Sequence, residues 1–156
     1  PRYLVQGDLL IYSFLHSPVV YTYNFKTQEQ RSYPGTERAD LEVREPQEPG
    51  KLNDPKSFFD YYLKDNNYKK ILYDLSLEVY YRISASPLDF PESLGKANFY
   101  LTVFNKDFEV IYEADITDIK PGTPDFAFAT SEGLWISTKG EEDKLSFKVL
   151  NIIEKD

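Results

Sequence analysis

The sequence predicts an all-β protein: a partial β-propeller of two to three blade-like antiparallel meander sheets with one short helix. Three observations predict it. An alternating strand phrase recurs, first as Val19-Val20-Tyr21-Thr22-Tyr23-Asn24-Phe25-Lys26-Thr27 and again as Phe99-Tyr100-Leu101-Thr102-Val103-Phe104-Asn105-Lys106-Asp107. A third alternating run, Lys144-Leu145-Ser146-Phe147-Lys148-Val149-Leu150, begins about 45 residues after the second, and that recurrence of several short strands is the period of propeller blades. Aromatic residues make up 16% of the chain, with 13 Tyr and 11 Phe, and such side chains suit pleated, half-buried surfaces. Short polar turns separate the alternating runs, which is the signature of hairpins. The same strand spacing also suits a β-sandwich, which is the alternative architecture.

The elements follow in order. Gly7-Asp8 announces a strand over 9–15, and His16-Ser17-Pro18 breaks it. In 19–26, Val19, Tyr21, Tyr23 and Phe25 face one way, while Val20, Thr22, Asn24 and Lys26 face the other. Residues 26–29 turn the chain and 30–33 return it, giving three strands in 1–33. Residues 34–53 interleave Pro and Gly with charge and read as a long exposed loop. Asp54-Pro55 is a helix start, a carboxylate cap followed by Pro at the first helical position. Phe58, Phe59, Tyr62 and Leu63 then fall at helical spacing, which predicts a helix over 55–64. Strands follow over 68–73 and 77–84. A loop over 86–95 leads to a hairpin of 97–104 with 108–115 across Asn105-Lys106-Asp107. Runs 126–130 and 134–138 pair across Ser131-Glu132-Gly133, and 144–153 is the last strand. The last group is one strand short of a four-stranded blade, and a partial propeller leaves open sheet edges. Self-association through those edges, or membership of a longer chain, is therefore expected.

Composition narrows the function. The chain has 156 residues, 41% hydrophobic and 28% charged, enough for one core. Its formal net charge of −8 repels phosphate backbones and argues against nucleic acid. With no Cys, disulfides, thiolate catalysis and Cys-ligated metals are excluded, and the redox compartment is not legible. His16 is the single His, so a His-rich metal site within one chain is excluded. No apolar run approaches the ~20 residues a membrane helix needs, so the chain is expected not to span a membrane. It begins at Pro1 and holds no Met, so 1–156 is expected to be a single partial domain, the C-terminal part of a longer protein.

Four residues are the candidate ligand-binding set: Arg82, Tyr80, Glu113 and Trp135. Arg82 lies in an apolar, aromatic strand and shares a face with Tyr80 and Ser84. There it either lines a ligand channel or forms a structural ion pair, with Glu113 of the adjacent hairpin a candidate partner; the structural reading is favoured. Trp135 points away from Leu134 and Ile136 and either stacks on a sugar or closes a sheet–sheet contact, with packing favoured. The carboxylates Asp115, Asp118, Asp125, Glu141, Glu142 and Asp143 lack calcium-loop spacing, so no metal is expected. No Ser-His-Asp order surrounds His16 and no Gly-rich phosphate loop occurs, so no catalytic residue and no cofactor is assigned.

Five phrases in order carry a resemblance: Ile71-Leu72-Tyr73-Asp74; Val79-Tyr80-Tyr81-Arg82; Asn105-Lys106-Asp107-Phe108 leading to Tyr112-Glu113; Phe128-Ala129-Thr130-Ser131-Glu132-Gly133-Leu134; and Glu142-Asp143-Lys144-Leu145-Ser146-Phe147. Over roughly 8–154 the chain resembles the C-terminal half of an uncharacterised family of six-bladed β-propeller lipoproteins of the Bacteroides type, a domain of unknown function. The resemblance implies a place in the cell envelope, periplasmic or at the surface, and carries over no activity. The expected function is a non-enzymatic binding or scaffold module for a protein or glycan ligand. The alternative is a carbohydrate-active hydrolase or lyase with carboxylates on the propeller loops.

Overall fold

The computed structural model describes residues 2–38, 66–86, 97–121, 126–138 and 144–151. The helix expected over 55–64 and most of the loop expected over 34–53 lie outside the described residues.

The protein is all-β. Three antiparallel sheets hold eleven strands among the described residues, and the only helical turn there is a 3-10 turn at Thr117–Ile119. The first sheet runs β1 (Arg2–Gln6), β2 (Leu9–Ser13), β3 (Val20–Asn24), β4 (Gln30–Tyr33). The second runs β5 (Asn67–Asp74), β6 (Val79–Ala85), β7 (Phe99–Phe104), β8 (Val110–Asp115). The third holds β9 (Ala127–Thr130), β10 (Gly133–Thr138) and β11 (Ser146–Leu150). Every sheet is a meander in chain order. The recurrent phrase marks β3, β7 and β11, the third strand of each sheet.

One expectation needs correction. Residues 1–33 hold four strands, not three, because Arg2–Gln6 is a strand paired with β2. Its alternation is inverted against hydropathy: Tyr3 and Val5 are exposed, while Arg2, Leu4 and Gln6 are half-buried. Gly7, at φ 56°, turns β1 into β2 in a conformation that costs glycine little.

The sheets stack as three layers. One face of the second sheet presents Tyr81, Ile83, Leu101 and Val103, and these pack with Ala127, Leu134 and Ile136 of the third. The opposite face presents Ile71, Tyr80 and Phe104, which pack with Ile11 and Val20 of the first. Alternation along β6 and β7 separates these two sets, since successive side chains point to opposite faces. Both faces of the second sheet are therefore covered. The first strands lie next to one another, β5 touching both β1 and β9.

The two ends of the stack differ. Tight turns occupy one end, and three of them share a device. Asn24, Asp74 and Asn105 each end a strand, and each side-chain oxygen accepts backbone N–H groups two to four residues on. Each turn then closes through a left-handed residue: Gln28 at φ 59°, Glu78 at 53° and Phe108 at 61°. The long links leave from the other end, after β2, β4, β6 and β8. Links at that end touch: the Tyr68 amide donates to the Leu15 carbonyl at 2.7 Å, and the Phe99 amide to the Thr117 hydroxyl at 2.9 Å.

Candidate functional site

Strand register sets the site. Ile71, Arg82, Thr102 and Glu113 stand opposite one another on β5 to β8, so one row crosses the sheet on the face toward the first sheet. Arg82 is 1% exposed, which is rare for a cation. Its Nη2 donates to the Ser17 carbonyl at 2.9 Å and its Nη1 to the Pro18 carbonyl. The guanidinium lies 4.5 Å from the Tyr68 ring centre, a cation–π contact. Burial pulls its pKa down to about 10, with the Tyr68 side chain opposing and Arg2 adding to the fall, so it remains charged at neutral pH. The β2–β3 link is thus pinned to the second sheet by a two-pronged donor.

Glu113 is not the ion-pair partner of Arg82 among the described residues, and Thr102 stands between them. Glu113 Oε1 accepts the Thr36 hydroxyl at 2.6 Å and the Thr102 hydroxyl at 2.9 Å. Its Oε2 accepts the Glu37 amide at 3.3 Å. The carboxylate therefore holds the start of the β4–β5 link as Arg82 holds the β2–β3 link. Gly35 fits between them: a Cβ there would collide with the Pro18 carbonyl and crowd the Arg82 guanidinium. Arg38 closes the rim, its guanidinium 3.9 Å from the Tyr100 ring centre. Of residues 34–38, read from the sequence as the start of an exposed loop, Gly35, Thr36 and Arg38 pack against a sheet, while Pro34 and Glu37 are exposed.

Tyr80 sits on the same face nearer the turns. Its hydroxyl donates to the Gln6 side-chain carbonyl, and its ring stacks on Phe108 with centres 4.7 Å apart. Burial, with Tyr73 beside it, pushes its pKa up to about 12. On the other face, Tyr81 donates to Asp74 Oδ2 at 3.1 Å, and burial with that carboxylate raises the phenol further. His16 Nδ1 lies 3.0 Å from the Asn66 carbonyl, which can only accept, so Nδ1 carries the proton. Asp115 accepts the Thr117 amide at 2.8 Å, and its bonds to Thr117 hold the carboxyl below the usual range.

The structure brings Arg82, Tyr80 and Glu113 together in this seam. It does not bring Trp135 there. That indole lies on the outer face of the third sheet, stacked on Phe128 at 5.9 Å, with Nε1 donating to the Thr130 hydroxyl at 3.1 Å. Thr36, Arg38, Tyr68, Tyr100 and Thr102 complete the seam and were not singled out in the sequence. Thr102 could have been found, since the Asn105 turn puts it opposite Glu113. Nothing local marks Gly35 or Thr36. Within the seam, Arg82 Nε and the Ser13 and Ser84 hydroxyls have no hydrogen-bond partner among the described residues. Among the described residues no cluster of metal-ligating side chains occurs. No helix there is long and apolar enough to cross a membrane.

Fold and site define a class: a stack of meander sheets whose inter-sheet polar groups anchor the links at one end. The chain belongs to the DUF4221 family, a domain of unknown function, whose profile matches residues 1–115. It is similar in fold to the crystal structure of a member of that family from Bacteroides vulgatus ATCC 8482, solved at 1.75 Å, with 24% identity and a TM-score of 0.73. The match covers 97% of this chain and 45% of that one, so the chain spans less than half the length of this solved relative. No curated protein matches.

Proposed function

We propose that the chain is a non-enzymatic binding module, the C-terminal part of a six-bladed β-propeller lipoprotein of the bacterial cell envelope. Its recognition surface lies at the end where the long links emerge. Loops held by a rigid scaffold are where recognition residues concentrate. One observation carries the reading: the buried Arg82 and the half-buried Glu113 are committed to the backbone and hydroxyl groups of two links, at Ser17, Pro18, Thr36 and Glu37. Such anchoring pre-organises a binding rim and lowers the cost of ordering it on contact. Three meander layers with adjacent first strands support a radial series over two facing layers.

In this reading Arg82, Tyr80 and Glu113 position the rim, and a protein or glycan ligand meets the links themselves. The test is to present the labelled chain to an array of bacterial surface polysaccharides and to assay the same glycans for cleavage. Retention with glycans intact is expected. New reducing ends, or unsaturated sugars, would replace this reading with the hydrolase or lyase. Fractionation of the native host, probed for the full-length product, checks the envelope placement; a cytosolic product would remove it.

A further inference from the structure

A cleft opens between the first and second sheets at the end of the tight turns, away from the links. Its volume is about 320 Å³. One wall belongs to the first sheet, where register puts Thr22 opposite Arg31 and Leu9 opposite Asn24. The other wall is the β7–β8 turn, Lys106 to Phe108. Leu9, Tyr33 and Phe108 give the cleft an apolar lining, the two rings 5.0 Å apart. Both walls belong to this chain, so they are complete whatever precedes residue 1 or follows residue 156.

The polar lining is under-used. Thr22 is 3% exposed, yet its hydroxyl has no hydrogen-bond partner among the described residues. A buried hydroxyl without a partner is unfavourable unless something else meets it. Asn24 commits Oδ1 to the Lys26 and Thr27 amides, which leaves Nδ2 as a donor. The Lys106 ammonium and the Asp107 carboxylate have no ion-pair or hydrogen-bond partner among the described residues. Glu29 and Arg31 hold each other at 3.0 Å. These four charges cancel, so the cleft exerts no net pull on an ion.

We propose that the cleft is a binding subsite for one neutral sugar unit. Its unpartnered groups mix donors and acceptors: a hydroxyl that does both, an amide and an ammonium that donate, and a carboxylate that accepts. That mixture fits a ligand whose own groups both donate and accept, as the hydroxyls of a sugar do. The apolar lining fits the C–H face of a pyranose ring. The volume lies at the small end of ligand sites, which suits a single unit over a peptide or a folded partner. The site goes beyond the reading given above, since it lies at the opposite end of the stack and uses none of the groups that anchor the links. Failure of either one leaves the other standing.

The test is a titration of the 156-residue chain, followed by its backbone amide resonances, with the methyl glycosides of glucose, galactose, mannose and N-acetylglucosamine at millimolar concentration. At least one should give saturable shifts centred on Asn24–Glu29 and Lys106–Phe108. Thr22→Val keeps the side-chain shape and should weaken that binding about tenfold, through the loss of one hydrogen bond. Asp107→Ala, at an exposed turn position, should weaken it as well, and it takes the place of Thr22→Val if that chain does not fold. Absence of a saturable shift with all four glycosides overturns the proposal. So do shifts confined to Ser17–Val19 and Thr36–Arg38, which would put the sugar on the link rim. An equal response of the same amides to inorganic phosphate would make the cleft an ion site. Unchanged affinity in both variants would remove the cleft from the binding altogether.

Discussion

Arg82 shows what a buried charge does in this fold. Its two Nη groups satisfy two backbone carbonyls that would otherwise be stranded between sheets. Arg82→Ala removes the donors and leaves a void, and should destabilise by about 3 kcal/mol in urea unfolding. Arg82→Lys should recover little, because a single ammonium cannot reproduce the forked geometry. Glycan retention should survive at temperatures where the Arg82→Ala chain stays folded; its loss there would give Arg82 a direct ligand role. The sequence made Arg82 conspicuous but misassigned its partner, since the carbonyls of Ser17 and Pro18 come from another sheet and carry no side-chain signal. The buried phenols supply a pH test. Tyr80 and Tyr81 have folded pKa values raised above the unfolded value of about 10. Above that pH the unfolded chain releases protons that the folded chain keeps, so stability is full below pH ~10 and falls as pH rises through ~12. Arg82 acts in the opposite sense, since its folded pKa is depressed and it favours folding as pH rises over the same range. Two phenols outweigh one guanidinium, so melting temperature should drop between pH ~10 and ~12. Tyr80→Phe should flatten that drop, and an unchanged slope would mean that Tyr80 titrates as if exposed.

At the scale of elements, the turns were more legible than the faces. Asn24 and Asn105 marked hairpins in the sequence because their side chains hold the backbone of a tight bend. Asp74 does the same job between β5 and β6. The left-handed closing residues were not legible, since Gln28, Glu78 and Phe108 are not the glycines that such a conformation usually takes. Phe108 tolerates it because its buried ring stacks on Tyr80 and Tyr33. Gln28 is exposed and has no such contact among the described residues. Gln28→Gly should therefore stabilise by about 1 kcal/mol, while Asn24→Ala should cost about as much by removing the acceptor for two amides. Thermal melts of the two variants check both signs; destabilisation by Gln28→Gly would mean that the turn relaxes without strain. Which face of β3 is buried was not legible either. Its aromatic side, Tyr21 and Tyr23, points outward, while Val20 and Thr22 are the buried pair. Alternation gives the two faces of a strand but does not say which one meets a neighbour.

For the whole molecule, three layers distribute stability unevenly. The sequence predicted blade-like meanders because strand count, turn chemistry and period are local properties. It did not predict which sheet lies in the middle, because that depends on contacts between residues far apart in the chain. The second sheet is covered on both faces, and β6 and β7 are bonded on both edges as well. Val103, Phe104 and Tyr81 are fully buried there. Among the described residues, the first and third sheets each pack on the second through one face only. Opening an amide in β6 or β7 requires both inter-sheet contacts to fail, whereas β1 or β11 can open by losing one. Hydrogen exchange should therefore be slowest in Tyr80–Ser84 and Tyr100–Phe104, and faster in Arg2–Gln6 and Ser146–Leu150. Gly35→Ala should speed exchange in Arg82 and its neighbours in particular, because the added Cβ drives against the Pro18 carbonyl and pushes the link off the sheet. Uniform protection across the three sheets would mean that they unfold as one unit and that the central layer has no special standing. Faster exchange confined to the third sheet after Gly35→Ala would mean that the link and the guanidinium are not coupled, and the anchoring of the rim through Arg82 would fall with it.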